Sequence, residues 1–396
     1  MNFELTDDQK MLVETAASFA RKQSPVARAR KLRADPVGWE PAVWRQLGEL
    51  GWLGVMFGDH LGGFGGGLGD AGLLIEQLGT TLVPEPYLAS VILGGVALER
   101  GGTAAQQRRW LVPMIAGQTS LALAFAEEGT RFAPATVTTR ATADGAGQGW
   151  SLSGRKRWVL NGHAADQVIV SARTGGDIHD RDGVSLFVVD RGAPGVRVTP
   201  VATMDGRRAA MIELDGVRVG DDARLGAAAG ADVLERVLDL AAAAAVAEGV
   251  GIAATVLAMT VDYLKTREQF GKKIGAFQAL QHRAVDMFVH VELLRSMSIL
   301  AAIQADSDDP AVRVEAVSAA KVQLAGSGRW VVRQGIQLHG GIGCTDEHDV
   351  GLYFKRMHVL AALFGDDEYH VDRFSSLAGF RAGVSTTSSV AANPRA

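Results

Sequence analysis

The spacing of hydrophobic and polar positions changes twice along this chain. Up to about residue 118 the apolar residues recur at helical intervals, and a capping-box pattern, Thr6 followed by Gln9, opens the first amphipathic run. Further along, β-branched runs alternate with turns, and all four Asp-Gly dipeptides of the chain lie between Asp144 and Gly216. Helical spacing then returns. The pattern therefore predicts helices, then strands, then helices.

These segments predict an α+β chain with an N-terminal helical domain, a central antiparallel β domain and a C-terminal four-helix bundle. The residues at the end of the chain are polar and aperiodic, which is typical of a disordered tail. The predicted boundaries of these four parts are 1–118, 119–225, 226–382 and 383–396. Helices are expected near 39–51, 70–79, 86–100, 103–116, 239–265, 275–304, 310–340 and 350–380.

Composition and charge narrow the class of protein. The chain has 396 residues, of which 47% are hydrophobic and 21% charged, enough for two or three domains with buried cores. A net charge of -4 without a concentrated basic run argues against a nucleic-acid partner. The start does not read as a signal peptide, and Glu248 interrupts the Ala-rich stretch nearest to a membrane span. We expect a cytoplasmic globular protein that binds neither membrane nor nucleic acid.

The cysteine count and a glycine motif exclude or weaken three kinds of site. The single cysteine, Cys344, excludes an internal disulfide framework and a thiolate metal cluster, and no metal site is expected. The segment Gly67–Gly72 matches G-x-G-x-x-G, but a dinucleotide fingerprint also needs a preceding strand and a βαβ unit. A glycine-rich stretch precedes it instead. We therefore predict a loop between helices and keep a dinucleotide site as the alternative.

Two motifs in the C-terminal third carry chemistry. The first runs from Arg267 through Glu-Gln-Phe to Gly271, and the second runs from Gln337 through Leu-His-Gly-Gly-Ile to Gly343. A guanidinium presents paired donors suited to phosphate oxygens, and consecutive glycines let the backbone approach a ligand closely. A lone arginine on a helix is usually a solvated charge. Together the motifs favour a nucleotide cofactor held by its phosphates and base.

With the helical, β, helical order, these motifs resemble those of the acyl-CoA dehydrogenase family over about residues 1–380. The segments 154–162, 121–127 and 263–274 support the resemblance. The chain is most similar to the small-subunit type found in pimeloyl-CoA dehydrogenase, as 82–88 and 363–366 indicate. The resemblance implies FAD as cofactor, an acyl-CoA substrate, an electron-transfer flavoprotein as electron acceptor, and a homo- or hetero-tetramer that includes a large-subunit homologue.

The resemblance also implies which residues contact FAD, a cofactor that lies extended between two subunits in that family. The flavin ring would rest against the β domain at Ala126, Trp158 and Leu160. For Trp158 the alternative is a tryptophan buried in the β-domain core. The ADP half would reach the C-terminal helices of the neighbouring subunit. Its implied contacts there are Arg267, Gln269, Phe270, Phe277, Gln278, Leu280, Gln337, Gly340 and Gly341.

The sequence departs from the family pattern at the catalytic base. The family's reaction needs a carboxylate within reach of the α-proton of the acyl-CoA. At the two positions where members carry that Glu, this chain has Gly365 and Ala241. The remaining candidates are Asp366, beside the first position, and Glu248, about 10 Å along a helix from the second. For Glu248 the alternative is a charge between helices or at an interface.

The flavin side is altered as well. Ala126 and Leu160 stand where the family carries hydroxyl groups, and Ala242 replaces an arginine. Because the contacts to the ADP half are intact while those to the ring are reduced, the sequence favours one half of a heteromeric dehydrogenase. The alternatives are a homomeric dehydrogenase with an unusual base and a non-catalytic scaffold or regulatory subunit.

The identity of the substrate rests on the resemblance alone. The small-subunit similarity implies a dicarboxylyl-CoA such as pimeloyl-CoA, and Arg131 is a possible contact for its second carboxylate, with a surface role as the alternative. Oxygen is the alternative electron acceptor, because oxidases share the fold that the resemblance implies.

Overall fold

The computed structural model describes residues 4–130, 132–145, 149–226 and 229–379. Arg131 and the predicted tail 383–396 lie outside the described residues. Within them the elements follow the order helices, strands, helices, so the predicted fold class is confirmed. The placement of the domain boundaries stays a prediction.

The first helical domain begins where the sequence predicts it. Thr6 accepts a hydrogen bond from the backbone N–H of Gln9, whose side chain caps the N–H of Thr6 in return. Gly67 immediately precedes a helix and follows a loop, so the G-x-G-x-x-G segment is a connection between helices. Leu88–Gly95 and Gln107–Leu111 are π-helical. The α-helices are α1 (Asp7–Gln23), α2 (Val26–Leu32), α3 (Pro41–Glu49), α4 (Leu68–Gly79), α5 (Val96–Gly101), α6 (Ala104–Gln106) and α7 (Val112–Ile115).

Seven strands of the described residues form one sheet in the order β1-β4-β2-β3-β7-β6, with β5 paired to β4. They are β1 (Leu121–Ala124), β2 (Arg140–Ala143), β3 (Gly149–Leu160), β4 (Gln167–Arg173), β5 (Val184–Asp190), β6 (Val196–Ala202) and β7 (Arg208–Gly220). The sheet departs from the predicted antiparallel pattern where β4 runs parallel to β1 and, at one pair, to β2. The chain returns to the side of β1 only after the β2–β3 hairpin, and such a crossover permits parallel pairing.

Strands β4 and β5 are apolar on both faces because each face belongs to a different core. Ile169 and Leu186 join the core shared with the helical domains, while Val168 and Phe187 join a core inside the β domain. The sheet is therefore covered by helices on one side. This arrangement brings the edge of the β domain against both helical domains.

The second helical domain is built around one long helix, α8 (Gly230–Thr266). Its residues 240–247 are buried, and small residues let it approach α4: a Cβ on Gly251 would lie 2.0 Å from the carbonyl oxygen of Glu76. By length and composition α8 could cross a membrane, contrary to the sequence expectation. However, 83% of the residues in the most apolar 18-residue stretch of α8 are buried inside the protein, as in a core helix.

The remaining elements complete the predicted bundle with two interruptions. A π-helical turn, Leu324–Gly328, divides the helix expected over 310–340. The helix expected over 350–380 stops at Ala362, because Phe364 and Gly365 take positive φ values of 60° and 116°. The elements are β8 (Glu268–Gln269), β9 (Lys272–Lys273), α9 (Gln278–Gln304), α10 (Pro310–Gln323), α11 (Arg329–His339), α12 (Val350–Ala362) and α13 (Asp367–Ser375).

Candidate active site

A cavity of about 810 Å³ lies where the three domains meet. The π-helical turn before α5 contributes Leu88 and Leu93 to its apolar wall, and α12 contributes Val359. The β domain contributes the three residues predicted to face the flavin ring, namely Ala126, Trp158 and Leu160. The structure therefore brings these three residues together at one wall of the cavity. A concave, largely apolar pocket between domains is the usual setting of a ligand site.

A second cavity, of about 440 Å³, adjoins the first. Phe125, Phe132 and Phe364 line both. The second cavity continues between α8 and α13, past Asp239 and Arg373. The two cavities therefore meet at these three phenylalanines.

Trp158 is held in an unusual conformation at the cavity wall. It has a positive φ of 53°, and it lies in an irregularity of the β3–β7 pairing between Lys156 and Val159. Its side chain is 54% exposed, so the alternative of a tryptophan buried in the β-domain core is wrong. A bulge of this kind re-aims a side chain, and non-glycine residues with positive φ concentrate at functional sites.

A buried ion pair fixes the loop next to Trp158. Lys156 donates to Glu127 and to Ser171, and Glu127 also accepts from the backbone N–H groups of Thr138 and Thr139 at 2.7 and 3.1 Å. Burial alone would raise the pKa of Glu127, but the charge of Lys156 and these hydrogen bonds outweigh it and lower the pKa to about 2. Glu127 is therefore an ionised structural anchor and is unsuited to accept a proton.

The two positions that the family resemblance predicts for the base, Gly365 and Ala241, hold no carboxylate and leave little room for one. A Cβ on Gly365 would lie 2.5 Å from Nε2 of His370, and Ala241 is fully buried. Two side chains, those of Lys321 and His370, contact the backbone carbonyl groups just before Gly365. Lys321 donates to the carbonyl oxygen of Leu363 at 2.7 Å, and the ring of His370 contacts the carbonyl oxygen of Phe364 at 3.1 Å.

The two weak candidates for the base have structural partners. Both oxygens of Glu248 accept hydrogen bonds from Arg356 at 2.7 Å, and one also accepts from Arg207 at 3.2 Å. Burial alone would raise the pKa of Glu248, but the two guanidinium charges lower it. Asp366 caps α13 by accepting from the backbone N–H of Tyr369 at 2.9 Å. Neither carboxylate lines the large cavity.

The residues assigned to the ADP half lie elsewhere, at one end of the helical bundle. Strands β8 and β9 form a tight hairpin that turns at Phe270 and Gly271, both with positive φ. Phe270 is 90% exposed, and its ring meets that of Phe277 edge to face at 6.1 Å. The side chains and glycines that face solvent in this set are Arg267, Gln269, Phe270, Gln278, Gln337, Gly340 and Gly341, while Phe277 and Leu280 are partly buried.

The second motif adjoins this hairpin. The carbonyl oxygen of Tyr263 accepts from the N–H of Arg267, and the ring of Tyr263 packs at a tilt against that of His339 in the second motif, with the ring centroids 4.8 Å apart. A Cβ added to Gly340 or Gly341 would meet no atom within 4 Å, so the backbone there is open to a ligand. The two motifs are thus brought together, but no member of the set lines the cavity that contains Trp158.

These two groups fit the two halves of FAD unequally. The exposed guanidinium, carboxamides, aromatic ring and bare backbone at the hairpin suit a pyrophosphate and an adenosine. At the cavity wall Trp158 offers a flat apolar surface, but Ala126 and Leu160 have no side-chain donor for a flavin ring. At these two positions only the backbone could form hydrogen bonds to the ring.

The structure also shows cavity residues that the sequence did not single out. Arg207 and Arg208 follow the Asp205–Gly206 turn and line the cavity, as does Arg356 of α12. The available signal was two arginines directly after an Asp-Gly turn. It could not be interpreted from the sequence because their partners, such as Glu248, lie far along the chain.

Comparisons with known proteins agree with this architecture. The acyl-CoA dehydrogenase N-terminal, middle and C-terminal domain families match residues 6–118, 122–217 and 228–376. The chain is 32% identical over 358 residues to the probable acyl-CoA dehydrogenase YngJ of Bacillus subtilis, covering 88% of this chain and 92% of that protein.

Solved structures show the same similarity. The ChsE4-ChsE5 complex from Mycobacterium tuberculosis contains a chain with 29% identity and a TM-score of 0.85, covering 95% of this chain and 98% of that one. A steroid ACAD variant described as Tcur3481-Tcur3483 has 30% identity and a TM-score of 0.84, covering 95% and 99%. The names of both structures join two components.

Proposed function

Because this chain belongs to the acyl-CoA dehydrogenase family, we propose that it is the small subunit of a heteromeric enzyme whose larger homologue supplies the catalytic carboxylate. The cofactor of the family is FAD, and the activity is oxidation of an acyl-CoA. When bound, FAD supplies the acceptor for the hydride that leaves the β carbon. The proposed role of this chain is to complete the FAD site of its partner.

The observation that carries the proposal is that neither position predicted for the family's base holds a carboxylate. Abstraction of an α-proton needs a carboxylate within hydrogen-bond reach of it, and Gly365 and Ala241 occupy the family's two base positions. Glu248 is engaged by two arginines, and Asp366 caps a helix. Two carboxylates line the cavity among the described residues: Glu127 is ionised and bound to Lys156, and Glu128 pairs with Arg157 at 2.9 Å.

The separation of the two FAD-related groups supports the same proposal. The hairpin at Phe270 is exposed and keeps the residues predicted to contact the ADP half, whereas the ring-facing wall at Ala126 and Leu160 lacks hydroxyl groups. A subunit whose hairpin binds the ADP half of another chain's FAD needs the hairpin residues. It does not need hydroxyl groups at its own ring-facing wall. The two-component names of the solved relatives, ChsE4-ChsE5 and Tcur3481-Tcur3483, are consistent with such pairs.

An exposed apolar face on α9 is suited to contact other subunits. The face recurs at helical spacing, and exposed apolar patches of this kind mark protein interfaces. It comprises Val285, Phe288, Val289, Leu293, Ile299, Leu300 and Ile303. We place this face at the centre of a cytoplasmic hetero-tetramer of two small and two large subunits, which passes electrons to an electron-transfer flavoprotein.

The test compares the chain alone with the chain co-expressed with a larger homologue. Native mass spectrometry would report the subunits and the FAD count, and turnover would be followed with a dye acceptor. We expect the pair to oxidise acyl-CoA and to hold one FAD per pair of subunits. Oxidation of acyl-CoA by the lone chain at a comparable rate would overturn the proposal.

The same preparations distinguish the rivals. A homomeric dehydrogenase that uses Glu248 would lose several orders of magnitude in turnover when Glu248 is replaced by Gln. A scaffold without a cofactor role would yield a colourless complex, whereas a complex with FAD is yellow and releases flavin on denaturation. Pimeloyl-CoA, the substrate that the small-subunit similarity implies, is included in the substrate panel.

A further inference from the structure

The guanidinium of Arg207, at the cavity wall, is only partly used by acceptors in the described part of the chain. Arg207 directly precedes β7, and its side chain is 27% exposed. Its Nη2 donates to the carbonyl oxygen of Val83 at 3.1 Å and to Oε1 of Glu248 at 3.2 Å. Its Nε and Nη1 have no hydrogen-bond partner among the residues that the structure describes. A cation in a partly enclosed site gains stability when an acceptor takes such donors.

The neighbouring Arg356, in contrast, uses all of its guanidinium nitrogens as hydrogen-bond donors within the protein. Nε and Nη2 of Arg356 donate to the two oxygens of Glu248, and Nη1 donates to Asp205 at 2.8 Å. All three of its nitrogens are therefore used within the protein. Arg207 is the member of this arginine pair that can bind a ligand.

The chemistry of the free donors favours a single uncharged oxygen over a carboxylate. An arginine grips a carboxylate with two adjacent nitrogens, either Nε with Nη2 or Nη1 with Nη2. Both of these edges include Nη2, which in Arg207 already donates to Val83 and Glu248. The remaining Nε and Nη1 point in different directions, so each can reach one acceptor but they cannot hold one carboxylate together.

Charge balance leads to the same choice. The two cations Arg207 and Arg356 are matched by the two anions Glu248 and Asp205. A further carboxylate at Nε or Nη1 would lie beside Glu248, with which Arg207 is already paired, at a cost in like-charge repulsion. A ketone or hydroxyl oxygen would accept a charge-assisted hydrogen bond without that cost.

The position of Arg207 shows which part of a ligand it meets. At one side the large cavity shares Phe125, Phe132 and Phe364 with the second cavity. At another side it shares Pro84, Arg207 and Arg356 with a small third cavity of about 30 Å³. A ligand that enters along the second cavity therefore meets Arg207 with its distal part.

We propose that Arg207 recognises an uncharged oxygen, a ketone or a hydroxyl, on the distal part of the acyl group held in this cavity. The inference rests on the proposed function in that the complex binds an acyl-CoA, and it adds that the cavity of this chain takes the acyl group. It applies whether or not this chain supplies chemistry to that ligand. It narrows the substrate class from dicarboxylyl groups to oxygenated, uncharged ones.

The test is a binding experiment on the full-length chain in its purified complex. Isothermal titration would compare three probes of one length: a straight-chain acyl-CoA, the same acyl-CoA with a ketone on the penultimate carbon, and the corresponding dicarboxylyl-CoA. Even chain lengths from hexanoyl to dodecanoyl would be used. At the length that reaches Arg207 we expect the ketone to bind about tenfold more tightly than the unsubstituted chain.

Two variants locate the effect. Arg207→Met should abolish the preference for the ketone. Arg208→Met is the matched control, because it removes the adjacent cation from the same cavity wall, a side chain whose Nε and Nη2 are held by the carbonyl oxygens of Asp35 and Arg33. With this control the preference should persist. The probe series on the unaltered protein tests the proposal even where Arg207→Met does not fold.

Three results would overturn the inference: tighter binding of the dicarboxylyl-CoA than of the ketone, equal binding of all three probes at every length, or a ketone preference that survives in folded Arg207→Met. None of these depends on turnover. Failure of the small-subunit proposal, which is read from activity and FAD count, is therefore distinguishable from failure of this one.

Discussion

Arg356 of α12 holds both carboxylate oxygens of Glu248 on α8, with donor–acceptor distances of 2.7 Å at each. Arg207 and Asp205, from the turn before β7, join the same cluster. The cluster therefore ties the central helix and α12 of the bundle to the β domain, beside the cavity. Its buried charges are mutually compensated, and removing one leaves the others unpaired.

Replacing Glu248 by Gln should destabilise the protein far more than it affects chemistry. Breaking a buried ion pair by removing one partner costs about 3–5 kcal/mol. Urea unfolding would measure the loss, and turnover of the folded complex with its partner would measure the chemistry. Glu315→Gln, on the exposed face of α10, is the control and should change neither. A variant that is as stable as the wild type yet inactive would instead identify Glu248 as a base.

Placing a carboxylate at Gly365 should not create a working base. Gly365 has a φ of 116°, and a Cβ there would lie 2.5 Å from both His370 Nε2 and Tyr369 Cδ1. We expect Gly365→Glu to lower the melting temperature by several degrees without a gain in turnover by the lone chain. Gly341→Ala, at an open position with no atom within 4 Å, is the control for a glycine replacement and should melt like the wild type. A rate gain in the Glu variant would contradict this.

The order of the domains and most helices could be predicted because they rest on local signals. The capping box at Thr6, the Asp-Gly turns and the long apolar periodicity of α8 each act within a few residues. The end of α12 could not be predicted in this way. It depends on Phe364 and Gly365 taking positive φ while Lys321, from another helix, holds the neighbouring carbonyl groups.

The sequence predicted which residues belong to each half of the candidate site, but not where the two halves lie in the fold. The residues Ala126, Trp158 and Leu160 are brought to one cavity, and Arg267 and Gln337 belong to motifs that meet at one end of the bundle. That these two groups are separate follows only from the fold. The role of Arg207 was missed because its meaning comes from Val83 and Glu248, which are distant in sequence.

Replacing Arg267 by Met should weaken FAD retention by the assembled complex while leaving the fold intact. Arg267 is exposed at the base of the hairpin and has no role in a buried core. Loss of one charge-assisted contact to a phosphate corresponds to about a tenfold to hundredfold loss in affinity. Flavin released on gel filtration would be quantified by absorbance. Lys265→Met, an exposed cation two residues earlier, should retain flavin; equal retention by both variants would remove Arg267 from the FAD site.

The ionised state of Glu127 should make the protein sensitive to acid. Its folded pKa, about 2, lies below the ordinary value of 4.5, so the folded state binds fewer protons than the unfolded state in this range. The stabilisation is complete above pH 4.5 and is lost as the pH falls towards 2. Glu127→Gln should therefore be less stable than the wild type at neutral pH and lose less stability on acidification.

Urea unfolding of both proteins between pH 7 and pH 3 would measure these slopes. Glu128→Gln is the matched control, because the adjacent carboxylate is exposed at the rim of the cavity and forms a solvent-accessible pair with Arg157. Its stability curve should run parallel to that of the wild type. If Glu127→Gln also ran parallel, the carboxylate would not be held in its charged form by Lys156, and the anchor beneath Trp158 would have to be assigned to the hydrogen bonds from Thr138 and Thr139.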